Sequence, residues 1–424
     1  MSEEKITKAG DVSINEVSII SLNGTGQNIT PQVMGIDIYE DLFGGGFITG
    51  QVHVMDSQEL MSLLPLVGEE VIRIDVKTPG FKEEEGYRGE FFIYKMDNVV
   101  KEREREQVYT LHFISKEAII NLNTKISRTL SGKPSDIVNN ILTADWGLYT
   151  KKPVNVEETS NTTKYISNFW NPLANIIFVS GHAINSNGSP SYIFFENKYG
   201  MNFVSLDSLY GVDIVFQTFV WDNYSAEVSS LGGSRKSLEE DYKRILDLQP
   251  HMNFDYIRRL KSGMYGSETI TYDIVTKQYT HTAFKPEFDK ANHLNGGPIW
   301  SDRVPTLAGS NIHFVPKYYN NFDGYDDVTN AKTLGYRNSV LAQAEASKIT
   351  ISVFGRTDYS VGKKVYVDLP KNAQITGSDT EWSNQLLSGN YIISAICHNI
   401  TRVSHTCVLE LSKDSYMVNL NDTK

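Results

Sequence analysis

A short run of strand-forming sequence occurs twice in this chain, in the same order, toward its two ends. Gly68-Glu69-Glu70-Val71-Ile72-Arg73-Ile74-Asp75-Val76 returns as Gly362-Lys363-Lys364-Val365-Tyr366-Val367-Asp368-Leu369: a turn glycine, two charges, then alternation. Gly89-Glu90-Phe91-Phe92-Ile93 returns as Gly389-Asn390-Tyr391-Ile392-Ile393, with an asparagine soon after in each, Asn98 and Asn399. The run from Thr110 to Lys116 returns as Cys407 to Lys413. Alternation of apolar and polar residues gives a strand one buried and one wet face, and self-similarity marks a structural unit used more than once. The competing reading is two unrelated hairpins, which share turn glycines and alternation by necessity. Duplication implies a β-rich α+β fold in which two similar small β-barrels flank an inserted α/β middle region.

The rest of the chain fits that frame. Its 424 residues suggest about three domains at roughly 150 residues each. Val33 to Glu40 and Gln51 to Asp56 alternate, with Gly44-Gly45-Gly46 between them as a hairpin turn. A short helix follows, capped by Asp56, with Glu59 at the capping-box position, Leu60, Met61 and Leu64 facing inward and Pro65 ending it. Residues 1–125 are therefore expected to form the first barrel with its short helix. Lys133-Pro134 opens a helix with Ile137, Val138, Ile141 and Leu142 as its buried stripe, and Asn171-Pro172 opens another carrying Leu173, Ile176 and Ile177. Strands are expected at Tyr192 to Phe195 and Val212 to Phe216, a loop at Ser225 to Glu240, and helix over 238–262 broken at Pro250. Residues 126–249 thus read as an α/β middle domain. Alternation at Thr269 to Ile274, a helix near Arg337 to Ala346 and four further strand runs place the second barrel in 250–283 plus 337–415. Residues 284–336 have no clear period and read as a loop-rich insertion, functional or partner-bound because of its length; 416–424 is a tail.

Acidic residues number 51 against 40 basic ones, a net charge of −11. That argues against a general nucleic-acid binder, which needs a basic face. Two cysteines are too few for a disulfide scaffold. The charged start, Met1 to Asp11, predicts no secretory leader, and no uncharged apolar run reaches about 18 residues, so no membrane insertion is expected. No H-E-x-x-H, G-x-S-x-G or G-x-G-x-x-G motif occurs. Ser131-Gly132-Lys133-Pro134-Ser135 lacks the upstream glycine of a phosphate loop, since position 127 is Ser127, and Pro134 stands where a metal-binding hydroxyl belongs. Asp323 to Asp327 has the wrong spacing for a calcium loop. Chance carboxylate pairs are many among 51 acids, and none stands out. Lys101 to Glu106 alternates in sign and reads as a solvated hairpin tip. No catalytic residue and no cofactor are expected. The metal candidates are Cys397, His405 and Cys407 in the last hairpin. If Cys397 lies opposite Cys407, these three share one face and His398 takes the other. Three such ligands could hold zinc; the alternative is two buried thiols acting as small hydrophobes.

The ordered set of segments is familiar: Leu42 to Val52 leading to Gly68-Glu69-Glu70-Val71; Phe169-Trp170-Asn171-Pro172-Leu173-Ala174-Asn175-Ile176; Tyr192 to Phe203; Gly263-Met264-Tyr265-Gly266 leading to Tyr272-Asp273-Ile274; and Tyr336-Arg337-Asn338-Ser339 before the closing strands. Over roughly residues 13–415 the chain resembles the baseplate central hub subunit of contractile-tailed bacteriophages, itself akin to the amino-terminal part of the type VI secretion spike protein. The resemblance implies two small barrels with an α/β middle, a homotrimeric ring of pseudo-sixfold symmetry, and a virion location in the tail baseplate after assembly in the host cytoplasm. It implies as partners a central spike protein, a tail tube or tube-initiator protein, surrounding wedge proteins, and DNA only in transit. The echo supplies the physical reason, because a trimer meets a hexameric ring only if each chain presents its docking surface twice. Gly44, Gly45, Gly46 and Phe47 are the expected intersubunit contact, by completion of a neighbour's sheet; an intramolecular hairpin is the alternative. Two other functions are weighed against the hub: a tail-associated cell-wall hydrolase, which needs paired carboxylates in a cleft, and a glycan-binding adhesion module, suggested by the Tyr- and Asn-rich insertion.

Overall fold

The computed structural model describes residues 6–44, 46–60, 66–103, 106–221, 237–251, 255–273, 276–301, 311–317, 328–371 and 383–420. The first part is all strand: β1 (Ser13–Ile20), β2 (Gly26–Asn28), β3 (Val33–Asp41), β4 (Thr49–Asp56), β5 (Val71–Lys77), β6 (Tyr87–Arg103) and β7 (Glu106–Ser115). They run β3-β4-β7-β6-β5-β1-β2 in one sheet. Alternate side chains point to one core: Val17 and Ile19 of β1, Ile36 and Ile38 of β3, Val52 and Val54 of β4, and Tyr109, Leu111 and Phe113 of β7. Strands near opposite ends of the run share that core, so the sheet curls on itself. Asp56 accepts from the backbone N–H groups of Gln58 (2.9 Å) and Leu60 (2.8 Å), while Glu59 takes a positive φ of 55°. Met61 to Pro65 lie outside the described residues, as do Gly45 and the charged tip Glu104-Arg105.

The middle region contains α1 (Lys116–Asn123), β8 (Thr129–Gly132), α2 (Pro134–Thr143), β9 (Val154–Val156), β10 (Thr163–Ile166), α3 (Pro172–Ser180), β11 (Tyr192–Asn197), β12 (Gly200–Ser205) and α4 (Leu206–Tyr210). Helix α2 buries Ile137, Val138, Ile141 and Leu142 as its spacing requires. Asn171 caps α3 by accepting from the Ala174 N–H at 2.8 Å. Ile176 of α3 is buried, while Ile177 faces solvent.

The chain then re-enters the main sheet. Its later elements are β13 (Gln217–Val220), α5 (Leu238–Lys243), β14 (Ile245–His251), α6 (Tyr256–Lys261), β15 (Ser267–Asp273), β16 (Tyr279–Phe284), β17 (Gly297–Pro298), β18 (Ile312–Lys317), α7 (Val328–Ala344), β19 (Ser347–Phe354), β20 (Lys364–Asp368), β21 (Gly389–Thr401), β22 (His405–Lys413) and β23 (Ser415–Tyr416). The main sheet continues β14-β19-β22-β21, with β20 on β21 and β13 on β20, and an isolated bridge between Val220 and Arg244 brings the start and end of this run together. It encloses a second core that includes Phe219, Ile351, Val353, Tyr359, Val365, Tyr391, Cys407 and Leu409.

Three expectations need correction. The strand placed at Val212 to Phe216 is β13, further along; Ile214 is 79% exposed, and pairing with β20 starts at Gln217. The helix placed over 238–262 is two short helices around β14. A β-bulge between Ile245 and Asp247 breaks the alternation there and hides the strand, and Pro250 is tolerated because β14 lies at an edge. Finally, β15 does not join the second core's sheet. It pairs antiparallel with β16 and parallel with β18 in a separate three-stranded sheet. Strand β18 lies inside the 284–336 stretch, and a parallel partner so distant in sequence leaves no local signal.

The two halves of the main sheet share one topology. The first has β3-β4-β7-β6-β5 and the second β14-β19-β22-β21-β20, every neighbour antiparallel. Two bulges also coincide. One lies at Ile93/Lys95 opposite Phe113 and His112, and at Ile393/Ala395 opposite Leu411 and Glu410. The other lies at Val33/Gly35 opposite Val54 and His53, and at Ile245/Asp247 opposite Val353 and Ser352. The glycines that open the echo, Gly68 and Gly362, both take positive φ, 93° and 84°, which only glycine adopts cheaply. The echo is one residue out in two strands: Phe113, not Ile114, stands where Leu411 stands, and Lys364, not Val365, stands where Val71 stands.

Candidate functional site

The halves are welded by β21. Residues 389–392 pair with β20; past the bulge, residues 395–401 pair instead with β3 of the first half, from Ala395 opposite Asp41 to Thr401 opposite Gly35. A buried carboxylate sits at this weld. Glu40 accepts from the Tyr87 hydroxyl (3.3 Å), the Lys198 N–H (2.8 Å), the Ser360 hydroxyl (2.8 Å) and the Val361 N–H (3.1 Å). It thereby ties the first half, the middle region and the second half together. Burial pushes its pKa up to about 7 against the opposing pull of those donors and the Lys198 charge. Thr78 and Thr357 add a reciprocal pair of backbone-to-hydroxyl bonds at 3.2 and 3.0 Å. Nearby, Asp37 receives Gln51 Nε2 (2.7 Å) and Asn399 Nδ2 (2.6 Å).

Equivalent edges of the other halves are open. β21 uses residues 395–401 to hold β3; its counterpart β6 has no strand on that side past Phe92 among the described residues, and Tyr94, Val99 and Val100 are exposed there. The counterpart of β3 is β14, whose outer edge, among the described residues, meets only the Val220–Arg244 bridge at its start. A second exposed apolar face lies on the small sheet, where Tyr279 and Phe314 flank Tyr272 at 4.8 and 6.3 Å between rings.

The glycine turn lies between β3 and β4. Gly44 is exposed, and its N–H donates to Asp41 Oδ1 at 2.8 Å. Gly46 is buried beside Leu173 and Phe194, and Phe47 meets Phe194 edge-on at 6.4 Å. Gly46 and Phe47 are thus packed on the middle region within the chain, leaving Gly44 as the exposed glycine of the described turn.

The last hairpin differs from expectation by one residue. His398, not Cys397, lies opposite Cys407, and Ile400 lies opposite His405. A one-residue slip moves a strand's side chains to the other face. Cys397 therefore points away, pairing with Tyr39 on its β3 side. The inward cluster is His398, His405 and Cys407, all fully buried. Their ligating atoms form a small triangle: His398 Nδ1 to His405 Nε2 3.1 Å, His398 Nδ1 to Cys407 Sγ 3.2 Å, and His405 Nε2 to Cys407 Sγ 3.4 Å.

A cleft of about 230 Å³ beside α7 is lined by Asp207, Glu287, Asp289 and Asp414 among others, the setting the hydrolase alternative asks for. Its three aspartates serve the fold. Asp414 Oδ2 meets His293 Nδ1 at 2.6 Å, and its Oδ1 accepts from the Leu294 N–H (3.2 Å) and the Ser415 hydroxyl (2.8 Å). Asp207 accepts from Asn185 Nδ2 (3.3 Å) and the Ser191 hydroxyl (3.2 Å), and Asp289 accepts from the Ala291 N–H (3.1 Å). No helix among the described residues is long and apolar enough to cross a membrane.

This architecture, a β-rich α+β fold, is shared with solved tail proteins, in keeping with the resemblance carried by the segment order. The structure is similar to that of a tail protein from Neisseria meningitidis, with a TM-score of 0.57 at 12% identity over 94% of this chain and 96% of the other. It is likewise similar to the 43 kDa tail protein of prophage MuSo2 from Shewanella oneidensis, with a TM-score of 0.55 at 8% identity over 95% of this chain and 99% of the other. No family model and no curated protein matches the sequence. At such identities the likeness lies in the backbone fold, not in shared side chains.

Proposed function

We propose that this chain is a structural subunit of a phage tail baseplate: a hub of which three copies close into a ring joining a sixfold tail tube to a threefold spike, with DNA passing through. The observation that carries the reading is the matched pair of five-strand units with coincident bulges. Each half is read as one small barrel, so three chains display six.

The weld supplies the ring contact. Within the chain, the fourth strand of one unit grips the first strand of the other. The same step repeated between chains places the open edge of β6, residues 95–101, against β14 of the next subunit. Transferring the β21–β3 register, with the extra β6 residue at the Asp97/Val100 bulge counted, sets Asp97 opposite His251, Val100 opposite Gln249 and Lys101 opposite Leu248; of these the Asp97–His251 pair is complementary in charge and polarity. Pro250 removes one donor from that row. A net charge of −11 suits a lumen that repels DNA phosphates. The role is mechanical and asks for no catalysis.

Sedimentation of the purified chain at high concentration, alone and with its spike partner, tests the proposal. The expected species contains three chains. Val100→Asp, at an exposed edge where folding should change by under about 0.5 kcal/mol, is expected to return it to monomers with an unchanged melting curve. A wild-type monomer under both conditions would refute the reading.

A further inference from the structure

We infer that His398, His405 and Cys407 form a metal site that holds a thiophilic d10 ion, zinc or cuprous copper, inside the second half of the main sheet. The inference is independent of the baseplate reading. Three observations carry it.

The first is geometry. One sulfur and two imidazole nitrogens lie 3.1–3.4 Å from one another. Ligand bonds of about 2.0–2.1 Å to nitrogen and 2.3 Å to sulfur place neighbouring ligands of one ion only slightly farther apart, so small side-chain shifts admit it. The residues sit on two adjacent strands at fixed register, His405 and Cys407 two apart on β22 and His398 directly across on β21. Strand pairing holds the donor set without help from a loop. Two imidazoles and one thiolate are the donors that soft and borderline ions select over magnesium or calcium.

The second is polarity without partners. The cluster is sealed in an apolar core, yet its atoms hydrogen-bond chiefly to one another. His405 Nδ1 has no hydrogen-bond partner among the described residues, nor has the hydroxyl of Tyr359, a fully buried neighbour in the same core. Buried polar groups are ordinarily satisfied, and a metal turns three mutually facing donor atoms from a cost into a bond. Binding through the thiol releases its proton as the metal–sulfur bond forms: Cys–SH plus the ion gives Cys–S–metal plus H⁺.

The third is the comparison that the duplication allows. The barrel framework does not require these residues. At the places of His405 and Cys407 the first half has Gln107 and Tyr109, and where β21 carries His398 the first half has the bulge between Asp97 and Val100. Only one of the two copies carries the cluster.

Because the site is enclosed, the ion enters during folding. The test is metal analysis of the whole chain refolded with zinc, with cuprous ion under anaerobic reductant, or with chelator alone. The expected result is one equivalent of zinc or copper per chain, surviving gel filtration, with a raised melting temperature; which arm fills identifies the ion. Cobalt refolding is expected to give a thiolate charge-transfer band. Cys397→Ser, on the opposite face, should keep the ion and the band, and Cys407→Ser should lose both. If Cys407→Ser fails to fold, His405→Gln, which copies the first half, serves in its place. Refolded wild-type chain with no stoichiometric metal in any arm, or metal lost equally with Cys397→Ser, would overturn the inference and leave a neutral hydrogen-bonded triad.

Discussion

Glu40→Ala is expected to cost about 3 kcal/mol or more and to lower the melting temperature by several degrees. The substitution strands four donors, two of them backbone N–H groups, in a fully buried junction between three parts of the chain, and losing an acceptor there incurs the desolvation cost of each. Glu40→Gln separates charge from hydrogen bonding. One of its two terminal atoms becomes a donor aimed at another donor, so it also destabilises. Its pH dependence carries the sign. The folded pKa of about 7 lies above the ordinary value of 4.5, so the protonated carboxyl is the form the fold prefers. That contribution is complete below pH 4.5 and is lost as pH climbs through 7. Wild-type stability should therefore fall relative to Glu40→Gln across that window in paired thermal melts. A gap that stays constant, or widens in favour of wild type as pH rises, contradicts the assignment.

Gly50→Ala carries the second large effect, and it probes the duplication. A Cβ at Gly50 would lie 2.2 Å from Phe113 Cζ and 2.4 Å from the Asp37 carbonyl oxygen. Gly50 pairs with Phe113 across β4 and β7, and the equivalent pair in the second half is Ile349 with Leu411. One copy fills the space with nothing and a large ring, the other with two mid-sized side chains. Overpacking here is expected to cost about 3 kcal/mol. Adding Phe113→Leu should recover part of that, because the ring leaves while the Asp37 carbonyl stays. A double-mutant cycle by urea denaturation reads the coupling. Strictly additive losses would mean that the two pairs are not counterparts.

Much of this was legible in the letters. The alternation of β3 to β7 and β19 to β22, the Pro-opened helices α2 and α3, and the turn glycines Gly68 and Gly362 are local signals, and they stand where the spacing placed them. What escaped notice depends on partners. The bulge at Ile245/Asp247 adds a residue and so disguises β14 as something other than a strand. The pairing of β15 with β18 joins segments far apart in sequence. Of the candidates Cys397, His405 and Cys407, the structure brings His405 and Cys407 together with His398 in place of Cys397, since Cys397 and His398 trade faces with a single step of register and only the β21–β22 pairing fixes that step. The alternating His405-Thr406-Cys407 was the readable part of the signal. Glu40 carried no signal at all: its neighbours Tyr87, Lys198 and Ser360 come from three separate regions.

The central claim is that two copies of one strand unit let three chains imitate six. A three-dimensional electron-microscopy reconstruction of the protein assembled with its spike tests it most directly. The account predicts a threefold ring in which six five-strand units repeat at nearly equal angles, with residues 95–101 of each chain against β14 of the next. A ring whose units do not repeat six times, or one in which the β6 and β14 edges both face solvent, would contradict it.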